Sequence, residues 1–187
     1  MNKRTIYGII TAGGAIGFVA SFLEVLEYQQ LLKNSHAALT CNLNSVFSCT
    51  NVLNAWQSKI FGFPNALLCM TFFALMFSTA LVGLTGSTLG RKLRLTMHAI
   101  ALFFLCFALW FFWQSTYHIN ALCILCIFCL TGLLMVNWGW LRLNAADLPI
   151  SRRSRALLTR AIDSGADIFG WFILAAIVAF AMLIHFR

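Results

Sequence analysis

Long apolar stretches alternate with short polar segments along the whole chain. A helix that crosses a bilayer needs about 20 consecutive, mostly apolar residues. Five stretches reach that length with few or no charges, at residues 6–28, 63–84, 95–117, 119–141 and 168–186. The pattern predicts an all-α integral membrane protein with five transmembrane helices, forming a single membrane domain over residues 1–187.

The longest connection, residues 29–62, has a different pattern. Its apolar residues recur at the spacing of one helical face, at Cys49, Val52, Leu53, Trp56 and Ile60. Polar residues lie between them, which is typical of a short amphipathic helix on a membrane surface with its apolar face inward. Ser48 or Ser45 is expected to cap its N-terminus.

Composition supports the membrane assignment. The chain has 187 residues, of which 61% are hydrophobic and 10% charged, more apolar material than a soluble core of this size would bury. The first span has a long apolar run without a small-residue cleavage pattern, so we expect a retained anchor and not a cleaved signal peptide. Gly13 and Gly17 within it are expected to pack against another helix of the same chain.

The net charge of +8 is explained by orientation. One side of the predicted bundle holds Lys3, Arg4, Arg91, Lys92, Arg94, Arg142, Arg152, Arg153, Arg155 and Arg160. The other side holds Lys33, Lys59 and Arg187. Because basic residues favour the cytoplasmic side, we predict a cytoplasmic N-terminus, with the 29–62 loop and the C-terminus outside. Spread over short connections, these charges do not form a nucleic-acid surface.

Cysteines supply the candidate chemistry. Four of the seven lie on the predicted outer face: Cys41 and Cys49 in the loop, and Cys123 and Cys126 as a CxxC near the outer end of the fourth span. The loop pair has enough intervening chain to close a disulfide, and helical i, i+3 neighbours such as the CxxC share one face. The bacterial periplasm, which this outer side would face, favours disulfides.

Depth gives a reason for two pairs. At the helical rise, Cys126 would lie about 4.5 Å deeper than Cys123. A loop thiol could reach the shallow member, and a lipid-soluble quinone the deep one. The arrangement predicts an electron relay by thiol–disulfide exchange from soluble thiols to the loop pair, then to the CxxC and to a quinone.

The same residues resemble those of the vitamin K epoxide reductase family. The likeness lies in the loop pair, in Gly62-Phe63-Pro64-Asn65, in Cys123-Ile124-Leu125-Cys126 and in the fifth span typical of bacterial members. It implies a four-helix bundle around a quinone, either ubiquinone or menaquinone, plus a fifth helix. Bacterial members reoxidise thioredoxin-like proteins. Since no such domain follows the fifth span here, the resemblance implies a separate periplasmic partner and a bacterial inner membrane.

The resemblance also implies individual roles. A thiolate of the partner would attack Cys41, Cys49 would exchange with Cys123, and Cys126 would face the quinone. Asn65 would hydrogen-bond a quinone oxygen; the alternative is that its side chain only forms hydrogen bonds at the end of the second span. Two residues depart from the family pattern: Ala55 replaces a frequent serine, and Leu130 replaces a tyrosine found near the quinone in animal enzymes.

Other residues have competing interpretations. Trp56 belongs either to an aromatic belt or to the cover of the quinone pocket. Cys69 and Cys106 are expected to be packing residues, and so is Cys129, although it could exchange with Cys126. Glu24 and Glu27 either relay protons to a quinone or meet water and headgroups, and we favour water and headgroups. We expect no metal site, because the only histidine near the CxxC is His118.

Two alternative functions fit parts of the pattern. A membrane scaffold would use Cys41 and Cys49 only as a static disulfide. The other bacterial quinone-linked disulfide oxidase is also a four-helix protein, but its CxxC lies in the first outer loop, the reverse of the order found here.

Overall fold

The computed structural model describes residues 1–34, 39–44 and 46–186, except for the side chain of Leu183. The described residues are helical or irregular and include no strand. The helices are α1 (Lys3–Lys33), α2 (Cys49–Asn54), α3 (Asn65–Leu84), α4 (Arg91–Gln114), α5 (Ile124–Asn144), α6 (Arg152–Ser164) and α7 (Ala166–His185). The all-α prediction is confirmed.

Four helices are long and apolar enough to cross a membrane: α1, α3, α4 with its short extension, and α5. Helices α6 and α7 meet the same test only together, as one span bent by 90°. The described residues thus contain four or five candidate spans, where the sequence predicts five.

Helix α1 packs against both α3 and α5, and α4 packs against α5. Small residues allow the close approach of α1 and α5. A Cβ atom on Gly13 would lie 2.8 Å from the Cβ of Met135 and 2.9 Å from the carbonyl oxygen of Gly132. Gly17 lies against the ring of Phe73 on α3. The prediction that Gly13 and Gly17 pack within the chain is therefore correct.

The fourth span begins later than predicted. After α4, residues Ser115–Ile119 form a π-helical turn, and Asn120 adopts a left-handed conformation with φ 55°. Asparagine tolerates this conformation, which reverses the chain direction. Helix α5 therefore starts at Ile124 and not near residue 119, and Cys123 is its N-cap residue. The CxxC thus joins a cap and a first turn instead of two positions inside a helix.

The basic segment after α5 is partly helical. It contains α6, capped by Ser151, whose side chain accepts a hydrogen bond from the Ser154 amide. Gly165, with φ 77°, ends α6 at the bend into α7. A left-handed residue at this point favours glycine.

In the loop, α2 has the predicted cap: the Ser48 side chain accepts a hydrogen bond from the Asn51 amide at 3.4 Å. The other candidate cap, Ser45, lies outside the described residues.

The predicted apolar stripe holds only in its first half. Cys49, Val52 and Leu53 are buried, but Trp56 is 68% exposed and Ile60 is 39% exposed. The reason is local, because Ala55 has an extended backbone (ψ 145°) that ends α2 and shifts the following residues off the helical face. The chain then continues as a 3₁₀ turn over Trp56–Lys59.

Candidate functional site

Two backbone hydrogen bonds tie the loop to the segment before α5. The amide of Ser48 donates to the carbonyl of Leu122 at 3.0 Å, and the amide of Leu122 donates to the carbonyl of Val46 at 2.8 Å. Phe47 and Leu122 thereby form an isolated parallel bridge. Each bridge partner is within two residues of a cysteine, so the bridge brings Cys49 next to Cys123.

The loop cysteines form a disulfide. Cys41 and Cys49 are bonded, with their Cα atoms 5.8 Å apart, within the usual range for disulfides. The Sγ atom of Cys49 also lies 3.2 Å from the Sγ atom of Cys123. All three cysteines are buried, together with α2 residues and Leu39, in a small apolar cluster under the loop. A sulfur in contact with a disulfide is arranged for thiol–disulfide exchange.

The CxxC is present as two free thiols at the start of α5. Cys123 is buried at the cap position, and Cys126 is half-buried in the first turn. Cys126 lines a cavity, and Cys123 contacts the loop disulfide. The two cysteines therefore have separate neighbours, as the sequence-based relay requires.

Glu24 of α1 is the nearest polar partner of the CxxC. Its Oε1 atom accepts hydrogen bonds from Cys126 Sγ at 2.7 Å and from Cys123 Sγ at 3.4 Å. The side chain is buried, so the favoured expectation that Glu24 meets water and headgroups is wrong. Glu27 is buried as well and accepts hydrogen bonds from the side chain and the amide of Thr40, next to Cys41.

The ligand atoms of Glu24, Cys123 and Cys126 lie within 4.8 Å of one another, a spacing at which they could hold a metal ion. Three ligands are fewer than a structural zinc site uses but equal the number in a catalytic site, so the absence of a metal stays a prediction. The same three groups also have the composition of a thiol pair with a carboxyl group beside it.

The cavity at Cys126 is bordered by all four helices of the bundle and covered by the loop. Helix α1 contributes Glu24 and Tyr28, and the loop contributes Val52, Leu53 and Ser58. From α3 and the turn before it come Pro64, Asn65, Ala66 and Cys69, and from α4 come Phe104, Phe107, Ala108, Phe111 and Phe112. Helix α5 adds Cys126, Cys129, Leu130 and Leu133. A largely apolar, aromatic chamber with a few polar groups is typical of small-molecule sites.

Asn65 has the position expected of a polar contact in this cavity. Its Nδ2 atom donates a hydrogen bond to the carbonyl of Gln57 at 2.7 Å, while its buried Oδ1 atom has no partner among the described residues. A buried acceptor without a partner is costly, and a ligand hydroxyl in the cavity would satisfy it, while the second hydrogen on Nδ2 could donate to a ligand carbonyl oxygen. These two groups and the aromatic walls fit the reduced and the oxidised form of a quinone.

The other sequence-based candidates divide into two groups. Leu130, Cys69 and Cys129 line the cavity, and the Sγ atom of Cys129 contacts the Gly17 carbonyl at 3.8 Å. Trp56 faces outward and is not among the lining residues, and Cys106 is exposed on α4. The sequence reasoning missed the phenylalanines of α4, which carry no signal that separates cavity lining from lipid contact.

Residues 8–138 match the model of the vitamin K epoxide reductase family. This range includes most of α1 and α5, the whole of α3 and α4, and the four cysteines at the loop and the CxxC. A comparison with curated proteins gives no match. Since the family match covers well over half of the chain, the protein belongs to the vitamin K epoxide reductase family and is, in general terms, a membrane oxidoreductase of thiols and disulfides.

Proposed function

We propose that this protein is a quinone-linked thiol:disulfide oxidoreductase that reoxidises a separate thioredoxin-like protein and thereby supports disulfide formation. The observation that carries the proposal is the position of the CxxC between the loop disulfide and the aromatic cavity. Cys123 Sγ is 3.2 Å from the loop disulfide, and Cys126 borders the aromatic cavity.

The proposed path begins at the loop. A thiolate of the partner attacks Cys41, and the resulting mixed disulfide is resolved to leave Cys41 and Cys49 reduced. Cys49 then attacks Cys123 of the oxidised CxxC, and Cys41 re-forms its bond to Cys49. The products are the loop disulfide and two CxxC thiols, which is the redox state that the structure has.

The cavity residues would hold the electron acceptor. A quinone bound there would accept two electrons from the CxxC and take up two protons. Asn65 would orient it by donating the second hydrogen on Nδ2 to a quinone oxygen, and its unpartnered Oδ1 atom would accept from a hydroxyl of the quinol. The α4 phenylalanines would enclose the ring. Cys126, the CxxC member that lines the cavity, would be the cysteine that faces it. Trp56 would not cover the quinone, because its side chain is 68% exposed at the surface.

We place the loop on the periplasmic side of a bacterial inner membrane, with the N-terminus in the cytoplasm. The distribution of charge supports this orientation. Arg91, Arg94 and Arg142 lie at the ends of α4 and α5 that are remote from the disulfide, and basic residues favour the cytoplasmic side.

The test is quinol formation by the purified protein mixed with a reduced thioredoxin-like protein and ubiquinone or menaquinone. We expect Cys126→Ala to abolish quinol formation. Cys106→Ala is the matched control, because Cys106 is a free, exposed cysteine that does not line the cavity. Quinol formation at an equal rate with Cys126→Ala would show that the proposed path is wrong.

A further inference from the structure

A buried carboxyl group lies in the membrane-spanning part of the bundle, directly beside the reacting sulfurs. Glu24 is 5% exposed, in the outer half of α1, and takes part in no ion pair among the described residues. An acidic side chain in this environment is costly and marks a functional site by default.

The groups around Glu24 are proton donors without positive charge. Its Oε1 atom accepts from Cys126 at 2.7 Å and from Cys123 at 3.4 Å, both at the start of α5. The other titratable side chains of the shared cavity are Cys129 on α5, Cys69 on α3 and Tyr28 on α1. The short contact to Cys126 therefore makes Glu24 the group best placed to exchange a proton with that thiol.

We propose that Glu24 is a catalytic proton carrier for Cys126, giving a proton to its sulfur when the CxxC is reduced and taking it back when the CxxC is oxidised. This inference rests on the proposed function and adds to it the residue that moves the proton. It also explains the arrangement, because Cys126 borders an apolar cavity in which water is a poor alternative base.

The chemistry balances in both directions. In reduction, Cys49 attacks Cys123, the Cys123–Cys126 bond breaks, and the Cys126 sulfur leaves with the electron pair and takes a proton from Glu24. In oxidation, Cys126 returns that proton to Glu24, Cys123 releases its own, and the Cys123–Cys126 bond forms again. The two electrons pass to the quinone, which takes up the proton released by Cys123 and one proton from solvent to become quinol, so Glu24 ends protonated, as it began.

The oxidation step is tested in a Cys41→Ser/Cys49→Ser parent, whose CxxC is reduced with dithiothreitol and then freed of it. Single-turnover quinol formation is followed with two short-chain quinones, a ubiquinone and a menaquinone analogue. We expect Glu24→Gln to slow this step about 100-fold, the typical contribution of a positioned acid or base. Its rate should also rise more steeply with pH than that of the parent, because hydroxide must then remove the proton.

Glu27→Gln is the matched control for this step. Glu27 is a buried glutamate one turn further along α1, and it contacts Thr40 of the loop instead of the CxxC. We expect it to keep the parent rate and pH profile in quinol formation. An unchanged rate in Glu24→Gln, or a slower rate with the pH profile of the parent, would overturn the proposal, because a merely structural role leaves the profile as it is.

The reduction step needs no quinone. Fully oxidised protein with all its cysteines is mixed with dithiothreitol, quenched by alkylation at intervals, and analysed by mass spectrometry at each cysteine. In Glu24→Gln, we expect Cys41 and Cys49 to be reduced at the same rate as in the parent and Cys126 to be reduced more slowly. Reduction of both pairs at normal rates would contradict the role of Glu24. If the parent forms no quinol but the reduction of Cys126 is still slower in Glu24→Gln, the proposed function fails and the role of Glu24 stands.

Discussion

The Sγ atoms of Cys49 and Cys123 lie 3.2 Å apart, although 74 positions separate the two residues in the sequence. One sulfur belongs to a loop disulfide and the other to a free thiol. The contact therefore connects the two cysteine pairs directly. Since the Phe47–Leu122 bridge fixes the backbones on either side, the contact does not depend on a large movement of the loop.

This contact predicts a trapped intermediate. In Cys41→Ser/Cys126→Ser, neither resolving thiol is present, and we expect Cys49 and Cys123 to form a mixed disulfide in high yield. Mass spectrometry of non-reduced peptides measures it. Cys41→Ser/Cys123→Ser is the control, in which Cys49 has no such neighbour and should remain free. Free Cys49 and Cys123 in the first variant would favour the scaffold with a static loop disulfide.

The sequence predicted the elements of this site better than their contacts. Hydropathy and charge located the loop and the CxxC at one end of the bundle, because both patterns are local. Trp56 could not be placed, since a single extended residue, Ala55, decides which way it faces. The hydrogen bond from Cys126 to Glu24 joins residues 102 positions apart, and it depends on the packing of α1 against α5, which periodicity does not encode.

Asn65 should affect the affinity for quinone more than the rate of exchange. Asn65→Ala removes the Nδ2 donor at the cavity, and we expect the KM for quinone to rise about tenfold, equivalent to about 1.4 kcal/mol. The kcat should change little, because the Asn65 side chain donates to the Gln57 carbonyl and not to the reacting sulfurs. Quinol formation over a range of quinone concentrations separates the two constants.

Asn54→Ala is the control for Asn65. Asn54 is an exposed asparagine at the end of α2 and does not line the cavity, so its variant should keep the parent KM. A lower kcat in Asn65→Ala with an unchanged KM would instead show that Asn65 acts through the loop, by way of its hydrogen bond to the Gln57 carbonyl.

The approach of α1 to α5 predicts a packing defect with a functional consequence. A Cβ atom on Gly132 would lie 2.6 Å from the carbonyl oxygen of Gly13, too close for the helices to keep their positions. We expect Gly132→Ala to destabilise the protein by about 1–3 kcal/mol, the usual cost of overpacking. It should also slow the oxidation of the CxxC by quinone, because these helices carry Glu24 and Cys126.

Thermal unfolding in detergent and the single-turnover rate measure the two effects. Gly170→Ala on α7 is the control, since a Cβ atom there would meet nothing within 4 Å. We expect that variant to be as stable as the parent. Equal stability of Gly132→Ala would mean that α1 and α5 are further apart in solution.

The ion pair between Arg142 and Asp167 should hold α7 against the bundle. The guanidinium donates from Nε and from Nη2 to the two carboxylate oxygens, each at 2.6 Å, and the two side chains are only 7% and 4% exposed. Removing one partner leaves a buried charge, so we expect Asp167→Leu to cost about 3–5 kcal/mol in unfolding free energy. Arg142→Leu/Asp167→Leu should recover much of that loss, because the double variant buries no unpaired charge.

Arg91→Leu is the control: Arg91 pairs with Asp147 at 3.4 Å but is 63% exposed, and such pairs contribute about 0–1 kcal/mol. Denaturant titration in detergent of the parent, Asp167→Leu, Arg142→Leu and the double variant gives the coupling energy. Equal losses for Asp167→Leu and Arg91→Leu would mean that the buried pair is open to water.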